Sequence, residues 1–347
     1  MKNEQNNYQQ KVGINKKKRK TRKIFMSVLM IVFVGLILTA STYAWFTANK
    51  KVTVNQIDVN VTASNGLQVS VDARTWKTII TNTDITGAVA TYPTAVNQLP
   101  SLTNSMSPVS TAGGVDATTG FLKMFKGEIG SDSEGQLTVS ATQSTEVSGT
   151  SGNFVAFDLF FQVTSNTPIY LTSDSNVVAL NTSTGIENAA RVAFLQQGAV
   201  QTAGTDPAVI QALKAADGTT LKLWEPNYDV HTAAAIANAN SNYGQTTTAA
   251  GATRLSYYGI KADIPSASNI LLNSQDTQYF TAMTPTITSV AAGIPTNAYA
   301  TAFTLLPGIT KYRVYMWVEG QDVDCENNAS GGSLSYNLQF SSLSQAP

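Results

Sequence analysis

The stretch VTVNQIDVNVTASNGLQVSV, residues 52–71, decides the fold class of this chain. Its apolar residues recur at every second position in three blocks: Val52 and Val54, then Ile57, Val59 and Val61, then Leu67, Val69 and Val71. A period of two gathers those side chains on one face of an extended strand, the pattern of a half-buried β-strand. The phase slips at Asn55-Gln56, which predicts a bulge or bend there. Asn65-Gly66 is the favoured pair for a two-residue turn, so the blocks on either side of it read as a hairpin.

The same alternation returns near the other end, in YRVYMWV (312–318) and LSYNLQF (334–340). With Gly331-Gly332 between them, these two read as a closing hairpin of a sandwich or jelly roll. FVAFDLFFQV (154–163) is too rich in Phe and Val for a strand with one wet face, and is placed at the centre of a sheet. Further strands are expected at Ile169–Leu171, Val177–Leu180, Arg191–Leu195, Leu255–Ile260 and Ala302–Leu306, each bounded by turn-forming residues. One helix is expected after Asp206, with Pro207 at its first position, Val209, Ile210 and Leu213 on one face and Asp217-Gly218 as the stop. The Ala-rich Thr232–Ala239 reads equally as a second short helix or a loop. Turn residues throughout Ile79–Gly120, with only short apolar pieces between them, suggest long surface loops with up to two short strands. The expected fold is all-β, a β-sandwich or jelly-roll-like body with one or two short helices in insertions, preceded by an N-terminal apolar helix.

That apolar helix covers residues 24–44. Lys16, Lys17, Lys18, Arg19, Lys20, Arg22 and Lys23 precede it, and Ile24 to Ala40 is apolar apart from Ser27 and Thr39. A basic run that stays in the cytoplasm, an apolar run and then Thr42-Tyr43-Ala44 form the order of an export signal, cut between Ala44 and Trp45. The alternative is an uncleaved anchor, since the apolar run extended to Phe46 is nearly long enough to span a bilayer. The chain therefore divides into a basic cytoplasmic segment (1–23), a signal or transmembrane helix (24–44) and an extracellular β region (45–347). Signal peptidase and the membrane are the partners that this N-terminus implies, and the location is the cell surface or the medium.

Formal net charge is zero over 347 residues, but nine of the 22 Lys and Arg lie in the first 44 residues with only one of the 22 acidic residues. The remainder carries eight more acidic than basic residues. An acidic exterior argues against nucleic acid as a partner. Charged residues make up 13% of the chain, about half the usual quarter, which suits an extracellular β surface rich in Ser, Thr and Asn. Cys325 is the single cysteine, so no intramolecular disulfide is available.

Catalytic motifs are not found, and an enzyme is not expected. The only histidine, His231, sits beside Asp229 in a loop and reads as a solvated imidazole. Asp322, Asp324 and Glu326 follow the Trp317 strand at alternate positions and are a candidate calcium set, calcium being the one cofactor the sequence suggests. Against that stands an acidic turn whose side chains bond their own backbone.

The segment ASTYAWFT, residues 40–47, resembles the junction of Gram-positive exported proteins processed by a SipW-type signal peptidase, the camelysin and TasA-like biofilm fibre subunits. A Phe-rich strand, the run Ala190-Arg191-Val192-Ala193-Phe194 and the lack of disulfides share the style of that family. This chain is longer and carries Gly/Thr-rich insertions. The resemblance implies a jelly-roll subunit that polymerises when its freed N-terminal strand fills a groove in the next molecule. Here the donor strand would be the one carrying Val52, Val54, Ile57, Val59 and Val61. Two functions are then expected in order: a self-associating structural matrix or fibre subunit, and a membrane-anchored surface adhesin or binding module that uses the loops of Ile79–Gly120 and Thr232–Thr253.

Overall fold

The computed structural model describes residues 52–62, 66–100, 106–180, 185–201, 204–227, 230–233, 235–236, 257–271, 276–287, 300–325 and 331–344. The basic segment, the apolar run and the Ala44-Trp45 junction lie outside them. Among the described residues no helix is long and apolar enough to cross a membrane.

The chain is all-β. Its strands are β1 (Thr53–Thr62), β2 (Gln68–Ser70), β3 (Ile79–Ile80), β4 (Met124–Ser131), β5 (Leu137–Ser144), β6 (Val155–Val163), β7 (Thr167–Leu171) and β8 (Asn176–Ala179). They continue with β9 (Ala190–Val200), β10 (Leu221–Trp224), β11 (Tyr257–Ile260), β12 (Phe280–Met283), β13 (Ala300–Leu305), β14 (Gly308–Val318) and β15 (Ser333–Ser341). Among the described residues the short helices α1 (Asn82–Gly87) and α2 (Pro207–Gln211) interrupt them. α2 starts as the sequence predicts, with the Asp206 side chain accepting from Ala208 N at 2.9 Å and proline in the first turn. It ends at Gln211, well short of Asp217-Gly218.

A six-stranded sheet has the order β13-β7-β15-β1-β3, with β8 beside β7 on the same edge of β15. A five-stranded sheet has the order β10-β9-β14-β6-β2. Their inner faces share one core, in which Val54, Ile57, Val59 and Leu338 of the first sheet meet Phe157, Phe161, Val192 and Val314 of the second. The hairpins β4–β5 and β11–β12 stand as separate two-stranded sheets.

β1 runs parallel to β15 over nine residue pairs, from Thr53↔Ser333 to Thr62↔Ser341. The bulge expected at Asn55-Gln56 is present as a register shift between Val54 and Gln56. The extra residue restores phase, so Val54, Ile57, Val59 and Val61 all point inward and are buried.

Both expected hairpins are corrected. β1 and β2 do not pair: β2 crosses to the other sheet and runs against β6, with Val69 opposite Phe161. β14 and β15 likewise lie in different sheets. The physical reason is common to both. Alternation records which face is buried, and an arch that carries the chain from one sheet to the facing one needs the same alternation as a hairpin. Ile79–Gly120 is corrected in part: a short strand is present as expected, but its described residues are not confined to the surface. It holds β3 and α1 and buries Ile85, Tyr92, Leu99, Met106, Val109 and Val115.

FVAFDLFFQV becomes β6, an interior strand one place from the central β14. Val155, Phe157, Leu159 and Phe161 face the inter-sheet core, while Phe154, Ala156 and Phe160 enter clusters on the opposite face. That second face is roofed by chain from the insertions, which is why this strand has apolar residues in both phases. Phe161 is the hub of the inner core, with ring centroids 5.4 Å from Phe303, 5.9 Å from Tyr312 and 5.3 Å from Phe340. Edge-on packing of this kind is favourable beyond the area buried. Phe161→Ala is expected to cost about 3–5 kcal/mol in urea unfolding, while Thr301→Ala on the exposed face of β13 stays within about 0.5 kcal/mol.

Candidate functional site

The predicted carboxylate loop lies at the end of β14, where the chain leaves the five-stranded sheet. Glu319 N donates to Ala189 O at 2.8 Å, and a turn follows, closed by Cys325 N donating to Asp322 O at 3.0 Å. Asp322 Oδ1 accepts from Asp324 N at 2.8 Å, so the self-bonded acidic turn weighed in the sequence is present. It also reaches outward. Arg191 of β9 donates through its terminal nitrogen to Asp322 Oδ2 at 2.5 Å and lies 3.0 Å from Glu225 Oε1. The Arg191 side chain is only 1% exposed, which makes these contacts an ion-pair cluster inside the protein rather than on its surface.

His231 joins the same cluster, and its reading as a solvated imidazole is corrected. Its side chain is 3% exposed, with Nδ1 2.5 Å from Asp324 Oδ2. Thr232 N donates to the other oxygen, Asp324 Oδ1, at 2.9 Å. Ile236 N then donates to Thr232 O at 3.0 Å, closing one helical turn in the Ala-rich segment. Burial works against a charged imidazole, but the hydrogen bond to Asp324 and the nearby carboxylates outweigh it, and the His231 pKa is raised. Burial, with Asp322 nearby, raises Asp324 as well. The pair thus holds a proton more tightly than a free imidazole does. One signal for this site was present in the sequence: an arginine inside the apolar run ARVAFL needs a buried carboxylate to face it. Glu326 and Asp229 lie outside the described residues.

Cys325 is fully buried in the inter-sheet core. It packs there as a small core residue.

A second buried ionic cluster, missed in the sequence, sits on the roofed face of the five-stranded sheet. Asp158 of β6 accepts from Arg313 at 2.8 Å and from the Tyr92 hydroxyl at 2.8 Å, and lies 3.2 Å from Lys311 Nζ. Lys311 also donates to Gln211 O at 2.7 Å and Leu213 O at 2.9 Å. Arg313 donates to Glu146 and to the carbonyl of Val96, and stacks 4.3 Å over the Phe121 ring. Tyr315 donates to Glu146 Oε1 at 2.7 Å and accepts from Leu122 N at 2.8 Å. Two cations thus face two carboxylates, and between them the groups reach the segments carrying Tyr92 and Val96, Phe121 and Leu122, and Gln211 and Leu213. Every partner comes from a distant part of the chain, so no spacing in the sequence could display the set.

The candidate donor strand is β1. Among the described residues its free side meets β3 at Val59↔Ile80 and Asn60↔Ile79, a bridge at Val52↔Met106, a Val61 N to Thr78 O bond of 2.9 Å and a contact from Asn82 to Asn55 O. Its other side carries the full ladder to β15. Elsewhere, a cavity of about 480 Å³ is lined by Gly113, Asp217, Thr219, Thr281, Met283 and Thr286. Of the loops assigned to ligand contact, Ile79–Gly120 contributes to its wall and residues 237–256 lie outside the described set.

Comparison with protein-family models, with curated proteins and with solved structures finds no match to this chain.

Burial alone would raise the Asp158 carboxyl, but Arg313 and then Lys311 outweigh it and hold it below its ordinary value of 3.8. A carboxyl whose pKa is depressed on folding contributes stability above its unfolded value and loses it as the pH falls through the folded one. Asp158→Asn is therefore expected to destabilise the protein by about 3–5 kcal/mol at pH 7, because it leaves two buried cations short of a partner. The gap to wild type should narrow as urea unfolding is repeated below pH 3.8.

Proposed function

We propose that this protein is a secreted or cell-surface structural subunit that self-associates by exchanging β1 between neighbouring copies. The observation that carries the reading is the pairing of β1. This first described strand is held along its length by a strand about 280 residues away in sequence, while its local antiparallel partner β3 meets it at only two residue pairs. Its place between β15 and β3 is defined by nine backbone pairs and one apolar face, and β1 of a second copy offers the same groups. In this reading the two sheets are a jelly roll, and the N-terminal segment is an export signal. The junction at residues 40–47 supports removal of that segment and release of the strand. Retention of the segment would instead hold the protein at the membrane.

A second reading, a surface adhesin or binding module, draws on the cavity of about 480 Å³ between loops on the β10 side. Its lining mixes threonines and Asp217 with Met283, a surface suited to a small polar ligand. The first reading is preferred because it uses the feature on which the larger sheet depends.

Electron microscopy and N-terminal sequencing of secreted material test the proposal together. The expected result is filaments or oligomers of chains that begin at Trp45; a monodisperse monomer at all concentrations contradicts it. Locking β1 in its own subunit provides the sharper variant. Asn60 and Gln339 are paired and face away from the core, so the doubly substituted Asn60→Cys, Gln339→Cys chain is expected to close a disulfide within one molecule. The oxidised protein should stay folded and monomeric, and reduction should restore assembly.

A further inference from the structure

We propose that His231, Asp322 and Asp324 bind one divalent transition-metal cation, for which zinc is the best match to the donor set. The three side chains come from two separate segments, and their ligand atoms lie within 4.8 Å of one another. One imidazole nitrogen and two carboxylate oxygens suit zinc, whereas calcium takes six to eight oxygens and avoids imidazole. The site differs from the calcium set expected in the sequence by replacing Glu326 with a histidine about 90 residues upstream.

Charge points the same way. Asp322 and Glu225 both lie against the guanidinium of Arg191, and Asp324 lies against His231, so three carboxylates gather at one guanidinium and one imidazole. A divalent cation held by the neutral imidazole would bring those three carboxylates and one guanidinium to formal neutrality. Gln321, next to Asp322 in the chain, is also buried with its side-chain oxygen unpartnered.

The surroundings also orient the ligands. Asp322 keeps one oxygen on Arg191, and Asp324 keeps one on the Thr232 amide, as outer-shell donors do around bound metals. Cation entry requires His231 Nδ1 and Asp324 Oδ2 to part from 2.5 Å to the roughly 3.3 Å that two tetrahedral zinc ligands keep, a shift of under 1 Å. The metal would then tie the segment around His231 to the turn after β14.

The test uses untagged full-length protein in mild detergent, stripped with EDTA, dialysed, and titrated with zinc chloride and separately with calcium chloride by calorimetry. The expected result is one zinc per chain, a Tm that rises with zinc concentration, and far weaker calcium binding. His231→Gln is expected to lower zinc affinity at least tenfold. Asp324→Asn serves as a second variant, and circular dichroism selects whichever remains folded. Folded wild type without zinc-dependent heat or Tm change overturns the proposal, as does zinc binding that the folded variant leaves intact or calcium binding tighter than zinc.

Discussion

The parallel ladder between β1 and β15 is the interaction on which the larger sheet depends. Parallel strands cannot be joined by a tight turn, and here the connection between them is nearly the whole chain. Without β1, the edge of β15 from Leu334 to Phe340 faces nothing, and Val54, Ile57, Val59 and Val61 leave a trough along the inter-sheet core. Such a ladder closes late in folding, because its loop-closure entropy must be met before the contacts form. A strand that arrives last and is held by backbone pairing is also the strand most readily supplied by another molecule. The larger sheet and the proposed assembly thus depend on one set of nine pairs.

The five-stranded sheet meets a different constraint. Both of its faces are covered, so Asp158, Lys311 and Arg313, which would be ordinary outward residues on a half-wet sheet, are sealed under the insertions. Burying four charged groups is costly unless each is bonded. Here Asp158, Glu146, Lys311 and Arg313 each have at least two partners, several of them carbonyls of the covering segments. The network therefore fixes where residues 92–98, 121–122 and 211–213 lie on the sheet. Apolar packing alone, in the clusters around Trp317 and Phe160, would hold those segments with less positional precision.

Strand positions were legible in the sequence because burial imposes a period, and the bulge at Asn55-Gln56 was legible because it breaks that period. Pairing was not. Asn65-Gly66 favours a turn, but a turn into the facing sheet obeys the same local rules as a turn back along the same sheet. The β4–β5 hairpin escaped notice because MFKGEIGS carries few apolar residues and draws its burial from neighbours such as Ile264. At the carboxylate loop, Asp322 and Asp324 were visible through their spacing. His231 was misjudged because its partner lies about 90 residues away, and a single histidine has no pattern to betray its burial.

If β1 is exchanged, the pairs Asn60↔Gln339 and Val59↔Leu338 exist between molecules rather than within one. The most direct measurement mixes two preparations, one carrying only Asn60→Cys and the other only Gln339→Cys, lets them assemble, and oxidises the product. Exchange predicts a disulfide-linked heterodimer joining the two singly substituted chains, located to residues 60 and 339 rather than to the buried native Cys325 by peptide mass. Assembled material in which neither chain cross-links to the other, while the doubly substituted chain still links only to itself, would contradict it.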